Sequence, residues 1–422
     1  MTKNTYKELI VNSVYLYFGQ GINFILPLLV LPYLIKTLSS QSFGIYSFAF
    51  AFTQFSLLFV DFGFNISATK NIAENVLNPK KTKMTFWNVT SVKCFFMLVS
   101  LLFTFTILLS FSKFSYYKEA VLINFITVIG TILYPTWLFQ GINKLKAMTI
   151  INIISKLITY PFVFIFVTNS TDFLQAIFIQ SLSFLVAGLL SLIYLIKYQK
   201  FLFEGGVYNV KKHFMKNEIK DSFSIFLSNS SISLYTNSLT IFLGFFYTPN
   251  SVGIFSSMER LIRTIVFGVL APINQAAFPI IINLKKESLP QAKDFFLKIF
   301  FFVVTLVVLV YIFIYFFNSE IINKFFHQYK NSESSIFIYF AAIIFPIAMG
   351  SVFGQLGLLG LGNELQKKIF SRIYIYIGIF SLPLSLFLIY KLDYLGAIYS
   401  MVFVEFLVFI VMGYFVKKYK FL

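Results

Sequence analysis

Apolar runs long enough to cross about 30 Å of hydrocarbon recur along the whole chain, and polar residues collect in short intervals between them. The pattern predicts spans near residues 12–35, 43–65, 86–110, 119–141, 148–168, 173–197, 221–246, 252–282, 294–318, 336–360, 369–390 and 395–416. The runs are continuous. A membrane barrel would show short alternating segments instead, and in lipid only a helix satisfies all its backbone groups within one segment. The expected fold is therefore an all-α polytopic membrane protein with twelve transmembrane helices.

Composition narrows the class. Of 422 residues, 58% are hydrophobic and 12% charged, about half the charge of a soluble domain, and mean hydropathy is +0.81. A soluble enzyme and a disordered chain are both excluded. The net charge of +18 would suggest nucleic acid on a soluble protein. Here it orients the spans instead, because basic residues accumulate in cytoplasmic loops. With the N-terminus inside, 22 lysines fall in inside loops and six in outside loops. Both termini are expected in the cytoplasm, which requires an even number of spans. The opening MTKNTYKELIVNSVYLYFGQG is basic, without a compact apolar core and cleavage site. It reads as a cytoplasmic lead-in to the first span. The longest polar stretch, 198–220, is expected to be a cytoplasmic connector. The domains would be a six-helix lobe over 1–200, a linker over 201–220 and a second six-helix lobe over 221–422. Cys94, His213 and His327 are too scattered to form a zinc-type cluster.

The halves resemble each other. Ser42-Phe43-Gly44-Ile45-Tyr46-Ser47 opens the second predicted span and Ser251-Val252-Gly253-Ile254-Phe255-Ser256 the eighth, 209 residues on. Asn143-Lys144-Leu145-Lys146 and Asn363-Glu364-Leu365-Gln366 follow the fourth and tenth, 220 apart. Six spans per half make the repeat parallel, with its pseudo-two-fold along the membrane normal and a pathway expected between two lobes, a known transporter plan.

Two stretches carry a family resemblance: LPLLVLPYLIKTLSSQSFGIYSFAFAFTQFSLLFVDFGFNISATKNIA (26–73) and NSVGIFSSMERLIRTIVFGVLAPINQAAFPII (250–281). With the length, span count and short loops, the chain resembles a Wzx-type flippase of O-antigen or capsule repeat units in the MOP superfamily, related to MATE exporters and MurJ. The resemblance implies transport of a polyprenyl-diphosphate-linked oligosaccharide from the inner to the outer leaflet of the bacterial cytoplasmic membrane. It implies membrane lipids as surroundings, a polysaccharide polymerase and chain-length regulator as partners, and function as a monomer. No resident cofactor and no nucleic acid are expected; since no nucleotide motif appears, the energy would come from an H+ or Na+ gradient, the membrane potential or downstream consumption of the product. Composition by itself establishes only a polytopic helical membrane protein.

Charges in mid-bilayer cost about 2.5–3.5 kcal/mol on insertion scales, so each one present asks for a reason. Arg260 and Arg263 share one helix face. They read either as a cationic patch receiving the diphosphate, where guanidinium forks match phosphate oxygens, or as structural partners of Glu259 or Asp61. Lys156 and Lys93 are further candidates to line the cavity, with snorkelling the alternative for Lys93. Asp61, in FVDFGFN, is either a coupling or gating carboxylate or an interfacial cap near Asn65. Glu405 has no charged neighbour in sequence and is expected to be protonated or paired. It is a coupling candidate beside a purely structural role. Glu259 suits a gate that opens when the diphosphate arrives.

Two other functions compete. A MATE-type ion-coupled exporter of drugs or cations would want acids in its cavity, whereas a diphosphate wants cations. A membrane-embedded enzyme would want large outside loops or clustered acids and histidines, and this chain has neither. The run Gly354, Gly357, Gly360 and Gly362 lies in an apolar span without a phosphate-binding ending, and reads as a close helix contact.

Overall fold

The computed structural model describes residues 26, 29–204, 212–326 and 331–421. The N-terminal lead-in, most of the first predicted span, the connector segment 205–211 and His327 lie outside the described residues. Every element among the described residues is helical. Nine of these helices are long and apolar enough to cross a membrane. The last, Glu364–Lys418, runs 55 residues and takes in the two predicted spans 369–390 and 395–416. Its limbs meet at Asp393, whose φ of 56° and ψ of −138° are not helical. The predicted span 221–246 falls in Lys212–Phe246. The polar first half of that helix leaves only Thr236–Phe246 as a short apolar segment.

We number the helices α1 (29–37), α2 (Ser40–Asp61), α3 (Phe64–Glu74), α4 (Pro79–Ser110), α5 (Lys118–Asn124), α6 (Ile126–Leu133), α7 (Thr136–Gly141), α8 (Leu145–Thr159), α9 (Pro161–Phe166), α10 (Phe173–Tyr198), α11 (Lys212–Phe246), α12 (Pro249–Glu287), α13 (Leu289–Phe316), α14 (Asn318–Phe325), α15 (Asn331–Ala341), α16 (Ile344–Ser351) and α17 (Glu364–Lys418). A π-helical stretch, Val352–Leu361, follows α16. The chain forms two units. The first holds residues 1–26 and 45–233, the second 27–44 and 234–422. The division falls inside α2 and α11.

In the first unit, Trp137, Phe139, Phe86, Phe64 and Val89 build the apolar core. Proline punctuates the helices. Pro79 stands at the first position of α4, where Asn78 accepts the amide of Lys81 at 3.2 Å. Pro135 and Pro161 stand at the starts of α7 and α9, where a missing N–H costs nothing. Where α5 gives way to α6, the buried Asn124 amide closes a polar knot. Its Nδ2 donates to Ala49 O at 3.1 Å and Thr53 Oγ1 at 2.9 Å, and its Oδ1 accepts from Ser181 Oγ at 2.9 Å. A buried amide needs such partners in a medium without water. The first half of α11 packs on α3 through two rungs one turn apart. Ser67 and Ser222 hydroxyls lie 2.5 Å apart, and Asn71 Nδ2 donates to Glu218 Oε1 at 3.0 Å.

In the second unit, α12 and α13 pack with α16, the π-helical stretch and α17. Asn363 and Gln366 form a capping box at the start of α17. Asn363 Oδ1 accepts from Leu365 N at 3.0 Å, and Gln366 Oε1 accepts from Asn363 N at 2.8 Å, satisfying orphan first-turn donors. The Asn143 and Asn363 repeats predicted at the ends of spans thus fall in the turns that begin α8 and α17. The Ser385 and Ser400 hydroxyls, 2.5 Å apart, join the two limbs of α17.

Candidate functional site

The membrane charges gather into two clusters, one in each unit. In the first unit, Asp61 is the last residue of α2, followed by Phe62 at φ 42° and Gly63 at φ 82°. This left-handed pair turns the chain sharply into α3. A Cβ on Gly63 would also crowd Ser222 O and Ile225, at 2.8 and 2.9 Å, so glycine is needed there on both counts. The Phe62 ring stacks on Phe226 at 4.3 Å, which holds the turn in place.

An acid at a helix C-terminus meets the negative end of the macrodipole and needs a cation. Lys93, reaching from α4, supplies it with Nζ 2.6 Å from Asp61 Oδ1. Lys93 is buried, at 2% exposure. Asn65 Nδ2 donates to the other carboxylate oxygen at 3.3 Å. One carboxylate thus holds both Lys93 and Asn65.

In the second unit, Arg263 of α12 stands between two acids. Its Nε lies 2.5 Å from Glu259 Oε1, one turn back on the same helix, and its Nη2 lies 3.1 Å from Glu405 Oε1 on α17. Glu405 is buried at 5% exposure. It has no charged neighbour in sequence, yet it is paired in space with a residue 142 positions away. The ring of Tyr374 lies within the field of Glu405 and Arg263. Arg260 is half-buried one residue beyond Glu259. Two acids thus meet at Arg263.

Lys156 is half-buried near the end of α8, five residues before Pro161. Arg372, near the start of α17, is exposed. Among the described residues, no group of three or more His, Cys, Asp or Glu is placed to hold a metal ion.

One charged residue of the connector was not foreseen as structural. Glu218 is buried against Asn71, and its partner lies 147 positions away, so no local pattern announces it.

Chemically, each cluster is a charge pair or triad held by hydrogen bonds in a low-dielectric surrounding. A guanidinium that two carboxylates share by different nitrogens can pass to another divalent anion without losing its fork geometry.

A family model described as "Polysaccharide biosynthesis protein" matches residues 9–285. A protein of Escherichia coli (strain K12) named "Putative O-antigen transporter" is 38% identical over 272 residues, 64% of this chain and 63% of that protein. The match thus spans less than two thirds of that relative's length. A protein of the same name from Shigella dysenteriae is 29% identical over 406 residues, covering 94% of this chain and 97% of its own. Among solved structures, the inward-facing conformation of a multidrug resistance MATE family transporter of the MOP superfamily superposes with a TM-score of 0.69 at 14% identity, covering 94% of each chain. The lipid II flippase MurJ in an inward closed conformation superposes with 0.70 at 14% identity, covering 97% of this chain and 87% of that one. At such identity these two show a shared fold. With nine apolar helices among the described residues, that fold and a family match over well over half of its length, the chain is a multi-pass membrane protein belonging to the polysaccharide biosynthesis protein family.

Proposed function

We propose that the chain is a flippase that moves polyprenyl-diphosphate-linked oligosaccharide repeat units from the inner to the outer leaflet of the bacterial cytoplasmic membrane. The proposal includes twelve spans, both termini in the cytoplasm and function as a monomer. A polymerase and a chain-length regulator would act downstream. The observation that carries the reading is Arg263 held between Glu259 and Glu405 on membrane helices. A diphosphate carries two or more negative charges and competes with both carboxylates for one guanidinium. When it takes Arg263, the acids lose their counter-ion, and a proton or Na+ taken up on the same side restores charge balance. Release of the diphosphate reverses the exchange. Arg260, Lys156 and Lys93 are further cations for the phosphates and sugars, and Asp61 with Lys93 forms a second separable pair.

The test is complementation of a strain lacking its own flippase. The wild-type chain is expected to restore surface glycan, and Arg263→Ala to fail while inserting normally. Normal glycan with Arg263→Ala would remove Arg263 from substrate contact.

A second reading, an ion-coupled exporter of drugs or cations, is favoured by one feature. Two acids meet one guanidinium, a balance that suits a cationic cargo. Vesicles loaded with a cationic dye and with lipid-linked oligosaccharide, assayed side by side, separate the two.

A further inference from the structure

A cavity of about 600 Å³ opens in the first unit beside the α7–α8 turn, lined on its polar side by Asn143, Lys144 and Lys146 and on its apolar side by Ile150, Ile151 and Tyr194 among others. Its volume falls within the about 300–1,000 Å³ typical of small-ligand sites. We infer that this cavity binds the headgroup of an anionic membrane phospholipid, with the lysines on the phosphate and the isoleucines along the first methylenes of an acyl chain. The assignment does not depend on what the protein carries.

Three observations converge. The first is location. The turn joins Ser112–Gly141 to Leu145–Phe166, two helices each long and apolar enough to cross a membrane, so it lies where headgroups lie. The second is the turn itself. Asn143 adopts a φ of 55°, and Lys144 N donates to Phe139 O at 2.7 Å. This ends α7 and starts α8 within three residues and sets Lys144 and Lys146, both exposed, on one short stretch. The third is the character of the walls. Lys144 and Lys146 stand against isoleucine and a tyrosine ring. The Tyr194 ring packs on Phe139 at 5.6 Å and on Tyr198 at 4.9 Å, and Lys197 lies over the Tyr198 ring at 5.3 Å. Tyrosine and lysine together at a helix end are interfacial anchors, and basic pockets at the ends of membrane helices recognise anionic headgroups. An apolar wall beside two cations fits an amphiphile better than a free ion, which would gain nothing from Ile150 and Ile151.

The experiment uses the purified full chain in neutral detergent, with phosphatidylglycerol or phosphatidylcholine added and retained lipid counted by native mass spectrometry. Phosphatidylglycerol is expected to be retained in preference to phosphatidylcholine. Lys144→Gln with Lys146→Gln should weaken its retention about thirtyfold, at about 1 kcal/mol per lysine, whereas Lys144→Arg with Lys146→Arg should keep it. Ala147 also lines the cavity, and Ala147→Trp, which narrows it and leaves both charges, should also weaken retention. Equal retention of the two lipids, or unchanged phosphatidylglycerol binding in the glutamine variant, would overturn the site. Displacement of the lipid by inorganic phosphate would show an anion site without lipid selectivity. Displacement by equimolar polyprenyl diphosphate would reassign the cavity to the carried lipid. Either displacement overturns the phospholipid assignment.

Discussion

Gly44 and Gly253, 209 residues apart, each press against the carbonyl one turn earlier on the other's helix. A Cβ on Gly44 would collide with Pro249 O and stand 2.8 Å from Gly253 N. A Cβ on Gly253 would collide with Ser40 O and stand 3.1 Å from Gly44 N. Ser40 and Pro249 are separated by the same 209 positions and begin α2 and α12. The contact is thus its own mate under a local two-fold, as an isologous interface would be. Both residues sit in the FGIY and VGIF motifs that suggested duplication, and the symmetric contact gives that duplication a physical meaning.

Overpacking at such a crossing costs about 1–3 kcal/mol, so Gly44→Ala and Gly253→Ala are each expected to lower the melting temperature of the purified protein. Because both methyl groups push the same two helices apart, the double variant should be less destabilised than the sum of the singles. Strict additivity in the thermal unfolding of the three variants would mean that the two glycines do not share a contact.

The Asp61–Lys93 pair makes a second prediction. Removing one member of a buried pair strands the other charge at a cost of about 3–5 kcal/mol. Asp61→Asn alone and Lys93→Met alone should therefore both destabilise the protein. The combination Asp61→Asn with Lys93→Met should recover much of the loss. Yield and melting temperature of the three variants measure it. A double variant as unstable as the worse single would show that the pair is held for something other than charge neutralisation.

Orientation is tested separately. In a Cys94→Ser background, Lys113→Cys should react with an impermeant thiol reagent in intact cells, and Lys200→Cys only after permeabilisation, following the lysine bias of the loops. Labelling of Lys200→Cys from outside would invert the topology and move the lipid cavity to the opposite face.

The helices were legible because hydrocarbon thickness imposes a length that apolar runs must meet, and the start of α12 was legible from its likeness to α2. The charge partners were legible only where the helix repeat brings them together. Glu259 and Arg263 are one turn apart, and that spacing is visible in any helical sequence. Glu405 carries no such mark, since its partner depends on where α17 passes α12. The Asp61–Lys93 pair likewise needed the left-handed turn at Phe62 and Gly63 before α4 came within reach. Glu218 looked like part of a solvated connector. Its burial follows from the rungs that α11 makes with α3, which periodicity in a polar stretch does not encode.

Glu405 decides the coupling question. On sequence it has no charged neighbour and is expected to be protonated or paired; in the structure it shares Arg263 with Glu259. Neutralising it therefore changes two things at once. It removes a group that can take up a proton or Na+, and it leaves Arg263 with Glu259 alone, making the guanidinium easier for a diphosphate to capture. Glu405→Gln is expected to weaken the dependence of transport on an imposed proton or sodium gradient while binding of the lipid-linked substrate is kept or strengthened. Glu259→Gln, which removes the partner on the same helix and leaves the inter-helix contact, should likewise keep or strengthen binding, whereas Arg263→Ala should lose it. Reconstituted vesicles with imposed gradients, and substrate retention on the purified variants, measure both quantities. Unchanged gradient dependence in Glu405→Gln would take Glu405 out of the coupling step. The Asp61–Lys93 pair would then be the remaining separable charge pair, and Asp61→Asn should carry the lost dependence instead.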